Sequence, residues 1–183
     1  MNTDINTTTN NITNSNSNLE YWLRGPVDGI TGLLQPAAHA ILQSKAEVHQ
    51  GLKDFPDSLI WERPEGVASV AFHLQHIPGV LDRMFTYASG KQLNQQQLDY
   101  MIAEGIEDDA ITISSLLDFF DKRVEKALEQ LRSTPENDLL QPRSVGRKQI
   151  PSNVIGLLFH GAEHIQRHTG QLLVTARVVN VEW

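Results

Sequence analysis

The chain has 183 residues, 40% of them hydrophobic and 20% charged, with a formal charge of -7 and no cysteine. Length and composition suit one globular domain with a buried core. The acidic balance excludes a surface built for nucleic-acid phosphates or anionic lipid, and the missing thiols exclude disulfides, a cysteine nucleophile and thiolate metal ligands. Any metal must therefore be held by His, Asp or Glu, and thiol chemistry would need a thiol carried in by a substrate. No apolar run approaches the roughly 18 to 20 residues that span a bilayer, and the N-terminus lacks a signal-peptide pattern. A cytoplasmic protein is expected, with no membrane and no nucleic-acid partner.

Residues 1–18, MNTDINTTTNNITNSNSN, are almost wholly Asn, Thr and Ser. They have too little apolar surface to offset the entropy of ordering them and are read as a disordered tail. Residues 19–183 are read as a single domain. Leu34, Ala38, Ile41, Leu42, Ala46, Val48 and Leu52 recur at three- and four-residue intervals, which predicts a first long helix over 33–53. After a Pro- and Gly-rich break, Ser69 caps a second helix that runs to Gly90, with a kink expected at Pro78 because its ring nitrogen cannot donate to Leu74.

Asn94 caps a short connecting helix. Ile113, Leu116, Leu117, Phe120, Val124, Ala127 and Leu131 then share one face of a third long helix. The stretch TPENDLLQPRSVGRKQIPS reads as a loop, and Ser152 as the cap of a fourth long helix reaching about Val178. The expected fold is all-α, a four-helix bundle, with a connection between helices two and three too long for a simple up-down-up-down meander. Trp22, Trp61 and Trp183 are read as packing residues.

The chemistry concentrates in histidines. His160, His164 and His168 form a stripe of constant spacing on the fourth helix, read as facing the bundle interior, and His73 and His76 share a face of the second. Imidazoles four apart can chelate one ion, but about 12 Å of helical rise separates His160 from His168, so one ion cannot use all three. Two imidazoles from the fourth helix and one from the second would make a three-His site with an open position, the catalytic rather than the closed structural type. Spacing alone does not choose between His73 and His76, or between the two adjacent pairs of the stripe.

The stretches SVAFHLQHI and HIQRHTGQ, in that order on predicted helices, resemble the DinB-like (DinB/YfiT) superfamily, a likeness covering about residues 27–178. The resemblance implies a left-handed, up-down-down-up bundle, frequent homodimers, and a divalent metal, often zinc or nickel. It assigns the ligands to His76, His164 and His168 and leaves His73 and His160 as neighbours. It also implies a metal-dependent enzyme, a transferase that joins a low-molecular-weight thiol to a small electrophile, or a related hydrolase. The alternative is a non-catalytic, stress-associated metal-binding or interaction module in which the metal is structural.

Other residues are candidates for the surroundings of the site. Arg83, two turns beyond His76, is read as a clamp for a substrate carboxylate or as an ion-pair partner. Glu163 is expected to pair with Arg167 on the outside of the helix. Gln171 either orients a ligand or, with Gly170, serves close helix packing. His39 lines the cavity mouth, acts as an acid or base, or is an ordinary core or surface residue. His49 is read as a surface residue, and no residue is singled out as catalytic.

Overall fold

The computed structural model describes residues 19–180, so the predicted tail over 1–18 and Trp183 lie outside the described residues. Four long helices and one short one make up the fold: α1 (Gln35–Gly51), α2 (Val70–Ala88), the short α3 (Gln95–Ala103), α4 (Ile113–Ser133) and α5 (Val154–Val179). Capping side chains start four of them. Ser69, Asn94, Thr112 and Asn153 each accept a backbone N–H from the first turn that follows, and Asn94 and Thr112 complete reciprocal capping boxes. The cap of α5 is thus Asn153, one residue beyond the expected Ser152. α2 continues as one helix through Pro78.

Cross-helix contacts give the direction of each element. Ala40 and Ser44 of α1 meet Gln166 and Thr169 of α5, so these two helices run parallel. His73 and His76 of α2 meet His168 and His164, which makes α2 antiparallel to α5. Asp82 and Phe85 meet Arg123 and Gln130, so α2 and α4 are parallel. His49, at the end of α1, meets Asp121, and Gly29, ahead of α1, meets Arg132, which makes α1 and α4 antiparallel. The order is up-down-down-up. Each of α1 and α2 packs on both α4 and α5, around a core that includes Ile41, Leu74, Ile77, Phe120, Leu131, Leu158, Ile165 and Leu172.

One consequence of this order matters for the site. Because α2 and α4 are parallel, the chain between them must return along the bundle, and α3 lies on that return path against α2. The connection from α4 to α5 is not wholly irregular: β1 (Pro142–Val145) pairs antiparallel with β2 (Ile150–Asn153), with Val145 opposite Ile150 across a turn that holds Gly146 and Gln149 at positive φ. Pro142 and Pro151 argue against strands in the sequence, yet a two-stranded ribbon consists only of edges, where proline is tolerated. Trp22 is exposed and donates to Glu20, so it is not a core residue. No helix among the described residues is long and apolar enough to cross a membrane.

Candidate metal centre

The antiparallel pairing of α2 with α5 brings the two histidine windows face to face. His76, His164 and His168 each offer a ring nitrogen within a common 4.8 Å, and all three are half-buried. His76 Nε2 and His164 Nε2 are 3.2 Å apart. Two nitrogens on one tetrahedral zinc, each about 2.0 to 2.1 Å from the ion, would be about 3.3 Å apart, so the spacing already suits a shared ion. A donor set of neutral imidazoles fits zinc, nickel and related divalent metals and disfavours magnesium or calcium, which take oxygen ligands.

The outer nitrogens of two of the three rings have partners. Glu104, the residue after α3, accepts from His76 Nδ1 at 2.6 Å. A carboxylate paired with Arg83 can only accept, so His76 carries its proton on Nδ1 and turns a lone pair on Nε2 toward the cluster. His73 Nδ1 lies 3.1 Å from His168 Nδ1; with His168 donating, His168 Nε2 is likewise free for an ion. Structure therefore separates what spacing left equivalent: His76 joins the cluster, and His73 stands behind His168. The third ring differs, since His164 Nδ1 is buried without a hydrogen-bond partner.

Burial sets the charge state. His73 is pushed down to about 4, chiefly by desolvation and then by His168 and His76. His164 is pushed down to about 4 by desolvation and next by His168, and His168 is lowered by desolvation and next by His76. These rings are neutral at pH 7, the form that ligates metal.

Glu104 and Phe72 escaped the sequence reading. Phe72 stacks on His76 with ring centroids 5.1 Å apart, and Gly105 packs closely on Phe72, where a Cβ would come within 2.9 Å of the ring. Glu104 carried one local signal, an acidic residue at the C-terminal end of a helix, where the macrodipole disfavours negative charge. Its compensation is tertiary: Arg83 donates to both carboxylate oxygens. Gly79 makes room, since a Cβ there would crowd Glu104, Arg83 Nη1 at 2.9 Å and Tyr100 at 3.0 Å. Tyr100 donates to the Gln75 carbonyl, and Gln75 accepts from the Gly105 N–H, docking the end of α3 beside His76.

Arg83 is buried and occupied by Glu104, so of its two readings the ion pair is the one observed. Glu163 is bound by Arg167 through both oxygens, at 2.6 and 2.7 Å. His39 faces the Gly25 carbonyl at 3.0 Å, on the side of α1. Gly170 is exposed with open space where a Cβ would stand, so it does not serve close helix packing; Gly161, against Met84 and Phe85 at 3.3 Å, does. Gln171 lines an open groove of about 530 Å³ with His73, Val67, Ala68 and Val174. His160 is 49% exposed, so the stripe does not face the interior along its whole length but runs from solvent into the bundle.

No curated protein matches the chain. The family model of the DinB superfamily matches residues 40–172, well over half of the sequence and all four long helices in large part, with every residue of the three-His cluster inside the match. The chain belongs to the DinB superfamily.

Proposed function

We propose that the chain is a metal-dependent enzyme in which His76, His164 and His168 hold one divalent ion, zinc or nickel, and leave a position for a substrate. The observation that carries this reading is the convergence of three imidazoles from two helices with no fourth His, Asp or Glu in the group among the described residues. When bound, such an ion supplies Lewis acidity that lowers the pKa of a thiol or water brought to it.

The protein's own side chains do the rest. Glu104 and His73 hold two of the rings by their outer nitrogens, and Phe72 covers one face of His76. With no cysteine in the chain, the sulfur comes from a low-molecular-weight cytoplasmic thiol. The groove beside His73, walled by Val67, Ala68 and Val174, suits the apolar part of a small electrophile, and the Gln171 amide at its edge can donate to a polar group on it. The family resemblance favours thiol transfer over simple hydrolysis. A homodimer belongs to the same reading, supported by the exposed apolar Phe159 and Val178 on α5.

The test is metal analysis of the purified protein, followed by a panel of thiols and electrophiles with metal-loaded and metal-stripped chains. Conjugation should vanish on stripping while helicity stays, because the bundle core does not depend on the ion. A metal-loaded chain that consumes no thiol, together with unfolding on chelation, would establish instead a non-catalytic module in which the metal staples α2 to α5.

A further inference from the structure

We propose that His160, Glu163 and His164 form a second, solvent-facing metal site, where a divalent cation lands before passing to the inner three-His centre. The proposal rests on the preceding reading that the inner centre holds metal. The three residues stand at i, i+3 and i+4 on α5, and one ligand atom from each falls within a common 4.8 Å. His160 Nδ1 is 3.2 Å from Glu163 Oε1, and the His160 and His164 ring centroids are 5.4 Å apart.

Exposure and charge point inward along this path. The side chains of His160 and Glu163 are 49% and 33% exposed, against 18% for His76. The outer set alone contains a carboxylate, the group that attracts a hydrated cation from solution; the inner set offers a third imidazole in its place. Glu163 is held by Arg167, but an exposed i, i+4 pair of that kind is weak and releases the carboxylate readily.

His164 belongs to both groups. A cation on the outer set therefore moves inward by exchanging His160 and Glu163 for His76 and His168, with His164 the residue common to both sets. The inner rings, held by Glu104 and His73, lose less freedom on binding, so the transfer runs downhill. This accounts for a third histidine on a stripe of which a single ion can use only two.

Two measurements with metal-free full-length protein and Co(II) or Zn(II) test the site. In stopped-flow mixing at limiting metal, His160→Ala and Glu163→Gln should slow association about tenfold or more. Equilibrium affinity should change little, so dissociation slows in parallel. Association at the wild-type rate in both variants overturns the proposal. In the second measurement, a His76→Ala/His168→Ala variant, its fold checked by circular dichroism, should still bind one equivalent weakly and lose it when His160→Ala is added. A folded double variant that binds nothing also overturns it. If His160→Ala alone abolishes equilibrium binding while the double variant keeps full affinity, the inner-centre reading fails instead. His160 is exposed, so its variant folds and the kinetic arm stands by itself.

Discussion

Glu104 Oε2 lies 2.6 Å from His76 Nδ1, although Glu104 comes from the return segment and His76 from the middle of α2. The contact joins the cluster of imidazoles to a carboxylate that is itself buried against Arg83. It gives one ligand a defined tautomer and a defined ring orientation before any ion arrives. Loss of such an outer hydrogen bond typically costs 10- to 100-fold in metal affinity.

Glu104→Ala should therefore weaken metal binding by about 10- to 100-fold, and Glu104→Gln by less, because an amide oxygen still accepts from His76 Nδ1. The Ala variant also leaves Arg83 buried without its partner, which should lower stability by about 3 to 5 kcal/mol. Competition with a chromophoric chelator reads the first effect and urea unfolding the second. Affinity within twofold of wild type in a folded Ala variant would show that His76 needs no outer partner.

Metal content should depend on all three clustered rings. His76→Ala, His164→Ala and His168→Ala should each lose most of the bound metal, whereas His39→Ala and His49→Ala should keep it, since His39 faces the Gly25 carbonyl and His49 pairs with Asp121, both outside the cluster. Elemental analysis per chain checks this. Near-wild-type occupancy in any two of the three cluster variants rejects the ligand set.

The metal-free protein should lose stability as pH falls from about 6.5 to about 4. His73 and His164 are pushed down to about 4 and His168 is lowered, in each case chiefly by burial. The unfolded chain takes up protons at about 6.5, so across this window it binds more protons than the folded one and is favoured as pH drops. Above about 6.5 both states are neutral and the contribution is constant. Urea midpoints of stripped protein between pH 7 and 4.5 measure the slope, and a flat profile contradicts it. Metal affinity should fall in the same direction, because protons compete for the ring nitrogens.

Two glycines should respond in opposite ways to Ala. At Gly79 a methyl group crowds Glu104, Arg83 and Tyr100, so Gly79→Ala should loosen the docking of α3 and weaken metal binding with it. At Gly170 the space is open, and the gain in helix propensity should stabilise the fold by up to about 1 kcal/mol. Thermal unfolding of the pair, with metal titration of the first, gives the comparison. A Gly79→Ala protein with unchanged affinity breaks the proposed link between α3 and His76.

The helices and the residues available for chemistry follow from local sequence. Apolar spacing and capping side chains are local properties, and Ser69, Asn94 and the striped face of α4 act within one turn of themselves. The two histidine windows were legible for the same reason. The choice between His73 and His76 was not, because residues three apart share a helix face, and only the register of α2 against α5 decides which ring meets His164 and which stands behind His168. Glu104 was hidden for a related reason: it lies 28 residues from His76, and the return path forced by two parallel helices brings it there. The hairpin at 142–153 was obscured by its prolines, which are acceptable only because neither strand has a second neighbour. Side-chain identity sets what a helix can do; which groups meet is decided by packing, since the contacts that build the centre join residues far apart in the chain.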